Sequence, residues 1–516
     1  MGKKICFLFF FILIIALFFR LWNINKIPPG LYSDEAINGN DALIALQTCN
    51  FKVFYPENNG REGLFINIEA LFLKFFLLFD SPQPWMLRIV SAIFGILTTI
   101  GLFFLTKQLF NKEVAIYSFF LLAVSFWHIN FSRIGFRAIM VSFCLVWAFY
   151  FLLRALEKHD WKNIIASAIF FGIGFHTYIA FRVAPLIMFI VFVYYFLIYR
   201  RQKNLKIFWK LFLIWISVVF LIVLPMGLYF LNHPQDFLGR STQVSIFNTA
   251  YPLWEFIKSF LKTLIMFNFF GDCNWRHNYS CRPQLDIITG IFFLIGLILI
   301  IKKLIRRQIE FSSIFLIVWF LVMILPAALT YESVPHALRS IGLIPAVFIF
   351  SGLGFYNFSR WLDSRPVSTK NRSFILIIIC FIILSLNYLQ YFQKWAKNSN
   401  TYNAFNGNYY QIGKYLNSLP LSQLKIVLVN ADGILVNDIP MPAQTVMFIT
   451  NTYAEKNQKE KNLFYLLPNQ IDLVNQPSSF VLIPLEKKEE TKNLILQSFP
   501  TINFREYSDF WVFQLQ

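Results

Sequence analysis

Leu64-Phe65-Ile66-Asn67-Ile68-Glu69-Ala70-Leu71-Phe72-Leu73-Lys74-Phe75-Phe76-Leu77-Leu78-Phe79 is the stretch on which the topology of this chain turns. It is apolar enough to suggest a membrane-crossing helix. Yet it carries Asn67, Glu69 and Lys74, and it is short for the roughly 30 Å hydrocarbon core of a bilayer. The loops elsewhere decide. If 64–79 lies in the interface, the later hydrophobic runs occupy approximately 85–106, 114–132, 138–153, 163–181, 184–199, 211–231, 286–301, 311–330, 341–358 and 373–391. The loops assigned inside then hold Lys107/Lys112, Arg154/Lys158/Lys162, Arg200/Arg201/Lys203/Lys206/Lys210, Lys302/Lys303/Arg306/Arg307 and Arg360/Arg365/Lys370/Arg372. Were 64–79 to cross, each of these clusters would face outward, against the positive-inside tendency. The stretch therefore reads as an interfacial helix.

Working outward, Lys3 and Lys4 precede an apolar run over 5–22 whose far end, Phe19-Arg20-Leu21-Trp22, lacks a small-residue cleavage site. It reads as a retained span with the N-terminus inside. The whole chain is 57% hydrophobic and only 14% charged, more apolar surface than a soluble domain can hide. The expected fold class is a polytopic α-helical membrane protein of about eleven transmembrane helices with a C-terminal extracytoplasmic α/β domain. Its expected parts are a membrane domain over 1–391 and a soluble domain over 392–516. The membrane domain includes a first outer loop, 23–84, and a second long one, 232–285. The net charge of +19 belongs mostly to short inside loops, so it reports topology rather than a nucleic-acid partner.

Beyond residue 392 the chain turns rich in Asn, Lys and Gln. Strand-like runs fall at 425–429, 445–449, 480–484 and 510–514, and helical patterns near 407–418 and 487–498. There is no glycine loop for phosphate there. Cys273 and Cys281 share one polar loop and can be bridged if it faces an oxidising compartment.

The chemistry-bearing residues gather in the loops expected outside. Gly30-Leu31-Tyr32-Ser33-Asp34-Glu35-Ala36 places two carboxylates just beyond the first span. Ser33 is expected to cap a helix running to Gln47, with Ile37, Leu43, Ile44 and Leu46 on a membrane-facing side. Helix capping alone also favours Asp and Glu there. Arg61-Glu62 closes the same loop, either as a surface charge pair or as a second carboxylate of a pocket. Basic residues at outer helix ends oppose the general charge bias: Arg133 and Arg137, His176 with Arg182, and His336 with Arg339. An anionic ligand such as a lipid phosphate, held by guanidinium forks, would explain them; so would snorkelling to headgroups. Histidine spacing does not mark a metal site, though Asp34, Glu35 and Glu62 leave room for a divalent cation shared with a distant His.

This arrangement resembles the GT-C glycosyltransferases: an N-terminal anchor, an outer loop with Asp34-Glu35, an interfacial helix after Glu62, many spans and a C-terminal outer domain. It is similar in particular to the group of protein O-mannosyltransferases and lipid A aminoarabinose transferases. Ser33-Asp34-Glu35-Ala36 matches the first-loop acidic motif, and Glu62-Gly63-Leu64 is similar to a segment where aminoarabinose transferases carry glutamate, lysine and proline, with Gly63 in place of the lysine. The resemblance implies transfer of a sugar, with inversion, from a polyprenyl-phosphate-linked donor to a protein, lipid or glycan acceptor, at the outer face of a bacterial or archaeal plasma membrane. It implies catalytic roles for Asp34, Glu35 and Glu62, with Asp34 as base. Arg61, Arg133, Arg137, His176, Arg182, His336 and Arg339 are then candidates for binding the donor phosphate. The competing class is a transporter or flippase for a lipid-linked or anionic solute; charges gathered at one face rather than at mid-bilayer count against it. A non-catalytic assembly protein would leave Asp34 and Glu35 dispensable.

Overall fold

The computed structural model describes residues 3–308, 310–366, 368–474 and 479–515. Among them nine helices are long and apolar enough to cross a membrane: Lys3–Leu21, Pro84–Leu109, Ile139–Lys158, Ile179–Arg201, Leu205–Asn232, Ile287–Ile305, Phe311–Ala328, Ile341–Asp363 and Thr369–Trp395. Each coincides with a hydrophobic run expected to span. The two remaining runs form shorter helices. The run 114–132 gives Lys112–Val124 and then Phe126–Phe131, because Ser125 adopts an extended backbone (φ −66°, ψ 126°) and breaks the hydrogen-bond ladder. The run 163–181 gives Trp161–Gly174, after which the chain turns through His176 into Ile179–Val183. Pro225 and Pro326 lie inside their helices, toward the C-terminal ends.

The chain divides into two compact units, Met1–Trp22 with Ser91–Trp395, and Asn23–Val90 with Ala396–Gln516. The loop after the first helix, grouped with the membrane domain in the sequence reading, thus clusters with the C-terminal segment.

In the first unit, glycines permit a close helix contact. A Cβ on Gly296 would fall 1.9 Å from the Phe350 carbonyl oxygen, and one on Gly354 would fall 1.9 Å from that of Phe292. Helices Ile287–Ile305 and Ile344–Asp363 therefore touch backbone to backbone, the packing open to glycine within a membrane. Gly354→Leu is expected to cost about 3 kcal/mol or more, because no rotamer relieves a clash with backbone. Melting of the detergent-purified protein measures it. Gly227→Ala, whose Cβ meets nothing within 4 Å, is the control and should leave the melt unchanged or raise it.

The second unit contains a five-stranded sheet in the order Leu463–Leu466, Leu424–Leu428, Phe480–Pro484, Trp511–Leu515, Asn503–Glu506. Its first three strands are parallel and the last two pair antiparallel. The central strand Phe480–Pro484 is buried at every residue, as expected of a parallel strand covered on both faces. The expected strand at 445–449 is instead the helix Gln444–Thr450, all seven residues buried. A short apolar run with this much burial carries neither period, so its type is set by what surrounds it.

That helix packs on Ser33–Thr48, the helix that carries the acids. Two sequence expectations change here. The cap is Tyr32 (φ −67°, ψ 145°), whose N–H lies 3.4 Å from Glu35 Oε1, while Ser33 is the first helical residue and its Oγ accepts from Asn406 Nδ2 at 2.8 Å. The supposed membrane-facing side is interior: Ile37 packs with Val436 and Met441, and Leu43 with the cluster containing Phe448. By contrast Gly63–Phe76, the expected interfacial helix, exposes Leu71 and Phe75, with Leu78 and Phe79 exposed just beyond it. Such an apolar edge suits a bilayer surface.

Candidate active site

In the second unit a short hairpin, Phe54–Tyr55 paired with Arg61–Glu62, is fastened to the helix Ser33–Thr48. Arg61, 1% exposed, makes the fastening. Its Nη2 pairs with Asp41 Oδ2 at 2.5 Å, its Nη1 donates to Asn38 Oδ1 at 2.9 Å, and its Nε donates to the Glu57 carbonyl at 3.2 Å. Burial pushes the Asp41 carboxyl above its ordinary value, against the pull of Arg61. The arginine expected at a phosphate is thus engaged inside the fold. The hairpin turn runs through Asn58, Asn59 and Gly60, all at positive φ. From it Asn58 Nδ2 donates to Asp34 Oδ1 at 2.9 Å.

The two adjacent acids part ways. Glu35 is fully buried in a bidentate pair with Arg88, Nε to Oε2 at 3.0 Å and Nη2 to Oε1 at 3.1 Å. Arg88 also donates to the carbonyls of Pro28 and Gly30, at 2.7 and 2.8 Å, and so shapes the turn before Asp34. Asp34 itself is half-buried, oriented by Asn58, and has no ion pair among the described residues. Glu62 is 4% exposed at the end of the hairpin. The residue after it must be glycine: a Cβ at Gly63 would sit 2.1 Å from the Lys52 carbonyl oxygen, which explains the missing lysine.

Sequence reasoning missed Glu69. It counted only as a reason against a membrane crossing, yet it is fully buried, and neither carboxyl oxygen has a hydrogen-bond partner among the described residues. Burial first, then the charge of Glu35, holds its carboxyl well above the usual range, with Arg61 pulling the other way. Folding therefore binds a proton wherever the pH lies between the ordinary value of 4.5 and the raised one. The stability contributed by protonated Glu69 is complete below the ordinary value and is lost as pH rises through the folded one. Glu69→Gln is expected to raise the melting temperature by a few degrees near pH 8 and to leave it unchanged near pH 4. A constant difference across pH would show that Glu69 titrates normally.

The first unit supplies cations. Arg182 and Arg339 line one cavity of about 530 Å³, together with Tyr178, Thr242, Asn248 and Thr330. A second, largely apolar cavity of about 540 Å³ shares Arg182 and Phe237 with it and is walled by Val223, Met226, Phe230 and Leu231. Arg182 stacks over the Phe237 ring at 4.3 Å and donates to the Phe237 carbonyl at 3.0 Å. Arg339 Nη1 donates to Thr330 Oγ1 at 2.9 Å and to the Glu332 carbonyl at 2.7 Å. Arg137 stacks at 5.5 Å on Tyr178, a wall of the first cavity. His176 Nε2 lies 2.8 Å from the Ile222 carbonyl.

Arg133 is elsewhere. It is fully buried and donates to the carbonyls of Phe19 and Trp22, at 3.1 and 2.8 Å, closing the C-terminal end of the first helix. His336 joins a cluster that spacing could not reveal. Asp272 Oδ2 accepts from His277 Nδ1 at 2.9 Å and from the Ala337 N–H at 2.8 Å, and lies 4.0 Å from His336 Nδ1. Burial opposes ionisation of Asp272, but the charge and hydrogen bond of His277 and the charge of His336 outweigh it and hold the carboxyl at about 2. The loop is closed by a Cys273–Cys281 disulfide.

This architecture, a helical membrane bundle with apolar clefts bordered by arginines and a separate acid-bearing unit, is the GT-C fold. The residues 68–229 match the family model described as dolichyl-phosphate-mannose-protein mannosyltransferase. No curated protein sequence matches the chain. Among solved structures, ArnT from Cupriavidus metallidurans bound to undecaprenyl phosphate superposes with a TM-score of 0.59 at 10% identity, over 100% of this chain and 99% of that one. The Archaeoglobus fulgidus oligosaccharyltransferase in its apo form gives 0.55 at 13% identity, over 87% of this chain but only 64% of the longer archaeal one. Oligosaccharyltransferase AglB from Archaeoglobus fulgidus, in complex with an inhibitory peptide and a dolichol-phosphate, gives 0.52 at 12% identity over 100% of this chain and 74% of that one. The chain is thus an integral membrane protein with the GT-C fold, similar to proteins of the O-mannosyltransferase and ArnT group.

Proposed function

We propose that this protein transfers a sugar from a polyprenyl-phosphate donor to an acceptor hydroxyl, with inversion, at the outer face of the membrane. The N-terminus is then cytoplasmic and the C-terminal domain extracytoplasmic. The observation that carries the reading is the pair of cavities that share Arg182 and Phe237 as a wall: one bears two guanidiniums, the other is an apolar cleft of the kind an isoprenoid needs. The likeness to an ArnT that binds undecaprenyl phosphate supports it.

In this reading Asp34 takes the acceptor's proton while the acceptor oxygen bonds to the anomeric carbon. The bond from that carbon to the phosphate oxygen breaks, and polyprenyl phosphate leaves. Arg182 and Arg339 stabilise the charge growing on the phosphate. Glu35 serves by position, since its charge is spent on Arg88 and holds the turn that presents Asp34. Glu62 lies at the junction of hairpin and helix and has a positioning role. The test is release of polyprenyl phosphate from a labelled lipid-linked sugar by purified protein, with candidate protein, lipid and glycan acceptors in parallel. Movement of the intact lipid-linked sugar across a vesicle with no cleavage would instead establish a flippase.

A further inference from the structure

The cluster Asp272, His277 and His336 is unused by this chemistry. We propose that it binds a divalent cation of the zinc type, with three protein ligands and a fourth position left to water or another donor. One ligand atom from each residue lies within 4.8 Å of the other two. Around a zinc ion, with bonds of about 2.0–2.2 Å, tetrahedral donors sit roughly 3.3–3.6 Å apart, so small side-chain rotations bring the three onto one ion. Two imidazoles and one carboxylate form a borderline donor set, which selects zinc-like ions over magnesium or calcium.

The surroundings already orient the ligands. The Asn274 N–H at 2.8 Å fixes Asp272 Oδ1, and the Ala337 N–H supports Oδ2, the hydrogen-bonded outer shell that metal carboxylates carry. Asp272 and His277 are 3% and 4% exposed, and the Phe131 ring stands 5.6 Å from His277. Such burial excludes competing water. The three residues come from two loops far apart in sequence: one carries His336, and the other, closed by the disulfide, supplies His277, with Asp272 immediately before it. The ion would therefore clamp that loop to the turn carrying His336 and, three residues on, Arg339, whose own N–H points at His336 Nδ1 at 3.4 Å. The metal is a positioning element for the wall of the arginine cavity, and it holds whether or not the protein transfers a sugar.

The experiment uses the full chain in detergent, without a polyhistidine tag, stripped by a chelator and then loaded with Zn²⁺ or Co²⁺. About one equivalent of metal should survive gel filtration, zinc should raise the melting temperature, and Co²⁺ should give the intense visible absorption of a four-coordinate site. His336→Gln, chosen because that side chain is the most exposed of the three at 13%, should lower the retained metal at least tenfold. Retention below a tenth of an equivalent in the parent, or a weak six-coordinate Co²⁺ spectrum, would overturn the proposal. Equal retention in His336→Gln would do the same. The parent spectrum needs no variant, so a misfolded mutant does not rescue the idea.

Discussion

Asp34→Asn is expected to lower sugar transfer by about 10²–10⁴-fold, the usual contribution of a positioned general base, while donor binding and the melting temperature stay as they were. The substitution is nearly isosteric, and the Asn58 amide can still donate to the side-chain oxygen it now holds at 2.9 Å. Only the capacity to take a proton is lost. Glu35→Gln gives the contrast. It leaves the Arg88 guanidinium buried against a neutral partner, at a cost of about 3–5 kcal/mol for a broken internal ion pair. That variant should melt early and lose activity through folding. Single-turnover rates with saturating donor, set beside thermal melts, separate the two effects. An Asp34→Asn protein with parental turnover would remove the proposed mechanism.

Replacing Arg339 or Arg182 by Gln should each slow turnover by about 10²–10³-fold, the loss found when one preorganised donor to a growing anion is removed. Both should also weaken the binding of sugar-free polyprenyl phosphate. Arg182→Lys should recover part of the binding but little of the rate, because an ammonium is a point charge and lacks the planar fork that stacks on Phe237. Arg339 also closes its own loop through Thr330 and the Glu332 carbonyl, so its variant needs the melt as a check. Unchanged affinity for polyprenyl phosphate in both variants would place the lipid phosphate elsewhere in the protein.

The nine long apolar helices were legible in sequence because hydropathy over about twenty residues is a local property. What was not legible depended on partners distant in the chain. Ile37 and Leu43 looked like a lipid-facing stripe because nothing nearby in sequence announces that Val436, Met441 and Phe448 cover them. The run 445–449 looked like a strand for the same reason. Arg133 and Arg61 had the residue type and place of surface cations, yet each satisfies groups inside the fold: helix-end carbonyls in one case, Asp41 and Asn38 in the other. The Asp272, His277 and His336 cluster was hidden by its division between two loops, since only ligands on one helix or one tight motif leave a readable interval. Arg182 and Arg339 do share a cavity, and both were marked by the one signal sequence could give, a cation at a helix end where the charge bias disfavours it.

Gly30, at φ +69°, lies so close to the Phe405–Gly407 backbone that a Cβ there would stand 2.4 Å from the Phe405 carbonyl oxygen; Ser33 and Leu31 accept hydrogen bonds from Asn406 and Thr445. Because these partners lie 373 and 414 residues apart in sequence, most of the polypeptide must be synthesised before the turn ahead of Asp34 can close. Until then Ile37, Leu43 and their neighbours on the helix Ser33–Thr48 lack the apolar cover that Val436, Met441 and Phe448 supply. A product truncated before residue 400 lacks every one of these partners and cannot form the turn as it stands in the complete chain.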